Sequence, residues 1–378
     1  MGFKSLFVFS LAAFTGLVKD FQQNRPNITG LRFIDSYVVP FNLQFRGTII
    51  GGLSGIDYDA GNNQFYLISD DRSGINPARF YRTQIRFSTS QIDSVVFMDV
   101  INILQPDGTQ YPGNKKDPLH APDPESIRYD RSSRQLVWTS EGDRMVRQND
   151  SVLQNPSINM MGMDGGYVDS FPLPSNLKMH SSSRGPRQNG SLEGLTFSSD
   201  YKTIYTSMEE PLLEDGPRSD VKEHNATARI FRFDVGSKQN VAQYAYRLEP
   251  VAHNSFPPGT FKINGISEIL AMGENQLLVV ERSFSTGRLA CTIKVFLADV
   301  DKASDVRDVA SLADNPDILV MDKKLLLNMD ELGIYIDNVE GVTLGPALPN
   351  GNQTLLFVTD NNFLEFEKTQ LLWFEILP

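Results

Sequence analysis

The chain has 378 residues, 40% hydrophobic and 10% aromatic, enough for a large core and, by length alone, for two or three ordinary domains. Its formal net charge of −11 argues against nucleic acid as a partner and implies that an anionic substrate would need a bridging cation. The single cysteine, Cys291, excludes an intrachain disulfide; it falls in a predicted strand and reads as a buried apolar residue, not a nucleophile.

In chain order, Lys4 and the apolar run from Leu6 to Val18 read as a signal peptide over residues 1–20. The run is too short for a comfortable membrane span and lacks a clean small-x-small cleavage site; an uncleaved anchor is the alternative. The expectation is a secreted protein, extracellular or periplasmic, with no stable membrane span after processing. Next comes the strand-like segment Phe33 to Pro40, which reads like the later segment Tyr167 to Pro172.

A short phrase then recurs five times. Its copies are Leu53-Ser54-Gly55-Ile56, Pro124-Glu125-Ser126-Ile127, Leu192-Glu193-Gly194-Leu195, Ser267-Glu268-Ile269-Leu270 and Val339-Glu340-Gly341-Val342. The anchor positions 54, 125, 193, 268 and 340 are 71, 68, 75 and 72 residues apart, the mark of a repeat architecture. After each anchor comes a tight turn and an apolar run ending in acid. These runs are Gln64–Ser69, Gln135–Ser140, Thr203–Met208, Gln276–Val280 and Thr354–Thr359, short and β-branched, as buried strands are. Third strands are predicted at Arg79–Phe87, Ala228–Val235, Thr292–Ala298 and Gln370–Ile376, and fourth strands at Ser94–Ile103, Tyr167–Leu173 and Val241–Leu248.

Four antiparallel strands repeated radially make an all-β propeller. The last repeat stops after its third strand, so residues 31–40 are expected to complete its blade and close the ring. The count is five blades, with a sixth built partly from residues 299–334 as the alternative, and the propeller spans residues 30–377. With strands ordered outward from the axis, the anchor acid starts the first strand and the second acid ends the second strand. Both then lie at one end of the axis. The long segments 105–123, 174–190, 211–227 and 249–264 lie there too, and the turns at the opposite end are expected to be short. Long loops over a rigid scaffold are where binding and catalysis concentrate. A purely structural role for the anchors, packing near the axis, is less expected for all four glutamates, because burying four carboxylates without counter-charge is costly. No HExxH or CxxC spacing supports zinc.

The closing segment Asp337-Asn338-Val339-Glu340-Gly341-Val342-Thr343-Leu344-Gly345-Pro346, with Leu348-Pro349-Asn350-Gly351 and Val358-Thr359-Asp360-Asn361-Asn362-Phe363, resembles the end of the phytase-like domain family, also described as the esterase-like domain of phytase. Gly51 to Tyr58, Asp123 to Ile127 and Ser191 to Leu195 match its other segments, so the resemblance covers roughly residues 30–377. It implies a secreted or periplasmic propeller with characteristic Glu and Asp positions and a phosphoesterase role. Ser54 departs from the glutamate pattern.

The leading functional expectation is a calcium-dependent phosphoesterase acting on a small anionic substrate. Calcium takes six to eight oxygen ligands in flexible geometry. The expected ligands are Glu125, Glu193, Glu268 and Glu340, with Asp71, Glu209 or Asp360 completing the site. Glu209 or Glu210 would take a proton from water, and Arg72, Arg128 or Arg282 would clamp phosphate oxygens. Two alternatives stand beside it: a metal-dependent lactonase or carboxylesterase, with fewer arginines and a more apolar mouth, and a non-enzymatic binding or scaffold propeller. Fold alone cannot choose among them. A serine hydrolase is disfavoured, since no Gly-x-Ser-x-Gly occurs.

Overall fold

The computed structural model describes residues 27–378. The expected signal segment, residues 1–20, lies outside the described residues. Five four-stranded antiparallel sheets form the blades of a propeller. Blade 1 runs outward as Leu53–Asp59, Gln64–Ser69, Arg79–Phe87 and Ile92–Asn102. Blade 2 is Pro124–Asp130, Gln135–Ser140, Ser157–Met161 and Tyr167–Ser170, and blade 3 is Leu192–Phe197, Thr203–Met208, Thr227–Asp234 and Asn240–Arg247. Blade 4 is Lys262–Ala271, Gln276–Ser285, Thr292–Asp299 and Asp322–Asn328. Blade 5 is Asn338–Gly345, Thr354–Asp360 and Thr369–Leu377, completed by Gly30–Val39. That last pairing is antiparallel, from Gly30 opposite Leu377 to Val39 opposite Thr369, and closes the ring as the missing fourth strand required. Each inner strand also touches the inner strands of the neighbouring blades. Among the described residues no helix is long and apolar enough to cross a membrane.

The cores lie between blades. Phe65, Tyr81, Val358 and Trp373 seal blade 1 against blade 5, and Tyr66, Phe80, Ile127 and Trp138 seal it against blade 2. Because strand side chains alternate between faces, each apolar run serves two cores at once. Truncating one of these fully buried aromatics to Ala would cost about 3–5 kcal/mol.

Residues 299–334 do not make a sixth blade. Their strand, Asp322–Asn328, pairs with Thr292–Asp299 as the outer strand of blade 4. The connection before it is long, which departs from the short turns expected at that end. Residues 300–321 run along the outer strand of blade 3, where Val306 N donates to Gln243 O and Met321 N to Ala245 O. Blade 2 has a third strand that lacks a clear sequence signal, because a small hairpin, Asp143–Met145 with Val152–Gln154, intervenes.

All five inner strands carry a register irregularity at the repeated phrase. A bulge adds one residue to one strand, kinks it and re-aims a side chain. Here it turns the anchor residue toward the axis. The following glycine is sterically required: a Cβ on Gly55 would lie 2.7 Å from the Glu125 carbonyl oxygen of the next blade.

Candidate functional site

The axis is sealed partway down by one ion pair. The Arg128 guanidinium donates to the carbonyls of Ile56, Ile127, Ile269 and Val342, which are the inner strands of four blades. Its Nη2 also lies 2.8 Å from Glu268 Oε2, and both side chains are buried. Glu268 in turn accepts from Ser126 Oγ, from Leu195 N in blade 3 and from Ile269 N. Burial pushes the Glu268 carboxyl up to about 7 against the opposing pull of Arg128. This pair and its hydrogen bonds join all five inner strands. It places Arg128 and Glu268 in the seal and not in the cavity above it.

The reason is a one-residue offset in blade 4. In blades 1, 2, 3 and 5 the bulge falls at Ser54, Glu125, Glu193 and Glu340, and the acid that ends or directly follows the second strand is Asp70, Glu141, Glu209 or Asp360. In blade 4 the irregularity lies between Ile266 and Glu268, so Ser267 takes the anchor place and Glu268 the place that glycine holds in blades 1, 3 and 5. On the second strand Glu281 pairs with Ile266, and Arg282 stands where the other blades have an acid. Glu281 faces away from the cavity and is held by Tyr246, Asn264 and Lys323.

Above the seal, at the end of the axis that carries the long loops, is a cavity of about 460 Å³. Its floor is acidic. Glu125, Glu193 and Glu340 come from the bulges, Asp70 and Glu209 from the ends of second strands, and Asp123 from the residue before Pro124. Glu141 lies against them: Asp123, Glu125 and Glu141 bring one oxygen each within 4.8 Å of one another, and so do Glu141, Glu193 and Glu209. Glu141 is thus shared by two three-acid groups. Asp70 reaches the floor because Gly52 (φ +61°) lets it; a Cβ there would sit 2.1 Å from Asp70 Oδ1.

Two guanidiniums answer these charges. Arg282 binds Glu209 at 2.5 Å and Glu340 at 3.0 Å, and it also donates to Asn338. Arg72 lies 3.1 Å from Asp143 and 3.4 Å from Asp123. Both are ion-paired to acids, and their buried Nε atoms have no hydrogen-bond partner among the described residues. Burial and the repulsion of neighbouring carboxylates hold Asp70, Glu125, Glu141, Glu193 and Asp360 well above the ordinary carboxylate range. Burial also pushes Asp123 and Glu340 up to about 7, opposed by Arg72 and Arg282 respectively. Among the described residues, buried Glu209 Oε2 and Asp360 Oδ2 have no hydrogen-bond partner. The all-oxygen donor set, the excess of acids and these orphaned atoms fit one or two hard divalent cations.

Of the residues expected from sequence, the cavity brings together Glu125, Glu193, Glu340, Glu209, Arg72 and Arg282. Asp360 lies behind them, its carboxyl raised by burial and by Asp70. Glu210 turns the other way, to Arg218 at 2.9 Å, and burial pushes it up to about 7. Asp71 is used structurally: it pairs with buried Arg79 at 2.8 Å and accepts from the backbone N–H groups of Gly74, Ile75 and Asn76. Asp70, Asp123 and Glu141 were missing from the expected set. Aligning the strand ends Ser69-Asp70, Ser140-Glu141, Met208-Glu209 and Thr359-Asp360 selects Asp70 over Asp71 and adds Glu141.

One side of the cavity is apolar. Phe261, Ile263, Phe284, Leu289 and Cys291 come from blade 4, and Leu364 from the loop after Asp360. Burial pushes the Cys291 thiol up to about 12, so it is a neutral part of this wall.

Fold and site together define a five-bladed propeller with an acidic axial cavity. The phytase-like family profile, described as the esterase-like activity of phytase, matches residues 48–363, and the chain belongs to this family. No curated protein matches the chain significantly. Solved structures similar to it include an exo-β-1,3-galactanase from Phanerochaete chrysosporium, at 12% identity and TM-score 0.44, covering 90% of this chain and 64% of that one. An α-L-arabinofuranosidase from Lactobacillus brevis gives 8% identity and TM-score 0.46, covering 86% and 91% of the two chains. A gluconolactonase from Xanthomonas campestris gives 10% and 0.35, covering 92% and 96%. Likeness this distant carries no argument about activity.

Proposed function

We propose that this protein is a secreted, divalent-cation-dependent phosphoesterase, with calcium the favoured ion, acting on a small anionic ester at the axial cavity. The observation that carries the reading is the pair of three-acid groups sharing Glu141, ion-paired among the described residues to two arginines. Such a set resists ionisation alone and favours a doubly charged ion strongly. A bound cation there would neutralise substrate phosphate and lower the pKa of water beside it. Asp123, Glu125, Glu141 and Glu193 hold the ion or ions, with Glu340 and Asp70 beside them. Glu209, with one oxygen on Arg282 and the other without a partner, is placed to accept a proton. Arg282 and Arg72 position the acids rather than clamp substrate bidentately.

The test is metal content of the purified protein, then hydrolysis of a phosphomonoester with calcium and with chelator. Chelator-sensitive turnover is expected; metal-free protein that stays inactive in millimolar calcium would overturn the reading. A second reading, a metal-dependent lactonase or carboxylesterase, is favoured by the apolar wall and by the commitment of both guanidiniums. Chelator-sensitive cleavage of a carboxylic ester or lactone, without phosphoester turnover, would select it.

A further inference from the structure

We propose that the axial cavity takes a phosphomonoester with a single charged group and an apolar alcohol of aromatic size, and discriminates against polyphosphorylated substrates. The proposal rests on the phosphoesterase reading of the acidic floor.

The first two strands of blade 4 are ten residues each, whereas the corresponding strands of the other blades are six to eight. Their ladder continues past Gly265 opposite Arg282, at floor level, to Lys262 opposite Ser285. That extension carries the cross-strand pair Ile263 and Phe284 to the cavity's side. The Phe261 ring lies 6.1 Å from that of Phe284, and Leu289 and Cys291 extend the surface. Leu364 lines the cavity from blade 5.

The wall is built but uncovered. Phe261 is 55% exposed, Leu289 68% and Leu364 40%, at the edge of a cavity whose floor is charged. Apolar side chains contiguous with a polar floor match a ligand with one charged end and one apolar end. Extra phosphates have no such partner. Among the described residues the cavity's cationic lining consists of Arg72 and Arg282, both held by acids, and Lys262 on the rim pairs with Asp220 at 3.1 Å. A second or third phosphate would meet apolar carbon or further carboxylates, and like charges at close range are costly.

The experiment uses the full chain in calcium and titrates two non-hydrolysable phosphonates, methylphosphonate and 1-naphthylmethylphosphonate, calorimetrically. Turnover of ethyl phosphate, 1-naphthyl phosphate and inositol hexakisphosphate is measured in parallel. The naphthyl phosphonate should bind roughly 10–100-fold more tightly than the methyl one. The double variant Phe261→Ala/Leu289→Ala should bring that ratio to within about threefold, while its calcium-dependent rise in Tm stays at the wild-type value. Equal affinities, a ratio unchanged in the variant, or a higher kcat/KM for inositol hexakisphosphate than for 1-naphthyl phosphate would overturn the proposal. A naphthyl preference in binding without turnover of any phosphomonoester would overturn the hydrolase reading while supporting the wall; binding of neither phosphonate would overturn both.

Discussion

Blade 4 and the other four blades share strand order and antiparallel pairing, yet they do opposite things at the axis. The other blades aim an acid at the cavity, Asp70 in the case of blade 1, or set one directly behind it. Blade 4 aims Arg282 and an apolar wall there, and sends its own glutamate downward to Arg128. The cause is a bulge placed one residue differently, because in a strand a shift of one residue exchanges the two faces. The offset has an energetic logic. A fifth acid at the end of the second strand would add to a group that already holds its protons above the ordinary range, whereas Arg282 offsets two of its members. Below, a lone buried Arg128 or Glu268 would be strongly destabilising, and each is tolerated because the other is there.

The comparison is broken most severely by removing the seal. Arg128→Met keeps length but leaves Glu268 buried without its cation and four inner-strand carbonyls without their donor. A loss of about 3–5 kcal/mol is expected in denaturant unfolding. An unchanged midpoint would mean that the pair does not hold the ring.

Next in size is the contrast between acids above and below the seal. Glu141→Gln and Glu193→Gln should each lower phosphomonoester turnover by roughly a hundredfold or more, if the cation is lost with its ligand. They should also remove most of the calcium-dependent gain in stability. That gain is about 2.7 kcal/mol for wild type when free calcium is a hundred times its dissociation constant. Glu268→Gln should lower overall stability but leave the calcium-dependent gain at its wild-type size. Equal loss of calcium response in all three variants would place Glu268 in the site after all.

A smaller effect sharpens the electrostatic side. In chelator-treated protein the floor carboxyls hold protons that the unfolded chain releases near its ordinary carboxylate pKa. The folded state then binds more protons, so stability is greatest below that pKa and is lost as pH rises through about 7, where Asp123 and Glu340 titrate. Tm should fall by several degrees between pH 5 and pH 8 (about that interval), and saturating calcium should flatten the fall. A metal-free Tm that rises over this range would contradict the arrangement of the floor.

The smallest expected change is at the blade whose anchor is not acidic. Ser54 Oγ donates to Pro124 O at 3.0 Å, a single buried hydrogen bond. Ser54→Ala should cost about 1 kcal/mol and leave calcium binding untouched. A large loss of calcium response would mean that blade 1 contributes its anchor to the site.

The repeat, the strands and the ring closure were legible in the sequence because their signals are local. Gln64–Ser69, Gln135–Ser140, Thr203–Met208 and Arg79–Phe87 are apolar or alternating runs whose predicted bounds match the structure. The segment at Phe33–Pro40 reads like a fourth strand, and Gly30–Val39 pairs with Thr369–Leu377 to complete blade 5. The end of the axis that carries the acids also followed, since antiparallel order fixes which loops share it. Only the tertiary structure decided which way each acid faces. Alignment of the strand ends marks Asp70 over its neighbour Asp71, but the buried partner that holds Asp71 away from the axis, Arg79, comes only from packing. Glu268 carries the anchor glutamate in the repeated phrase and leaves the site because its strand bulges one residue earlier, at Ser267. Arg128 reads as a surface clamp until four carbonyls from four blades converge on it. Register and convergence between distant segments are set by packing of the whole ring, and no window of sequence contains them.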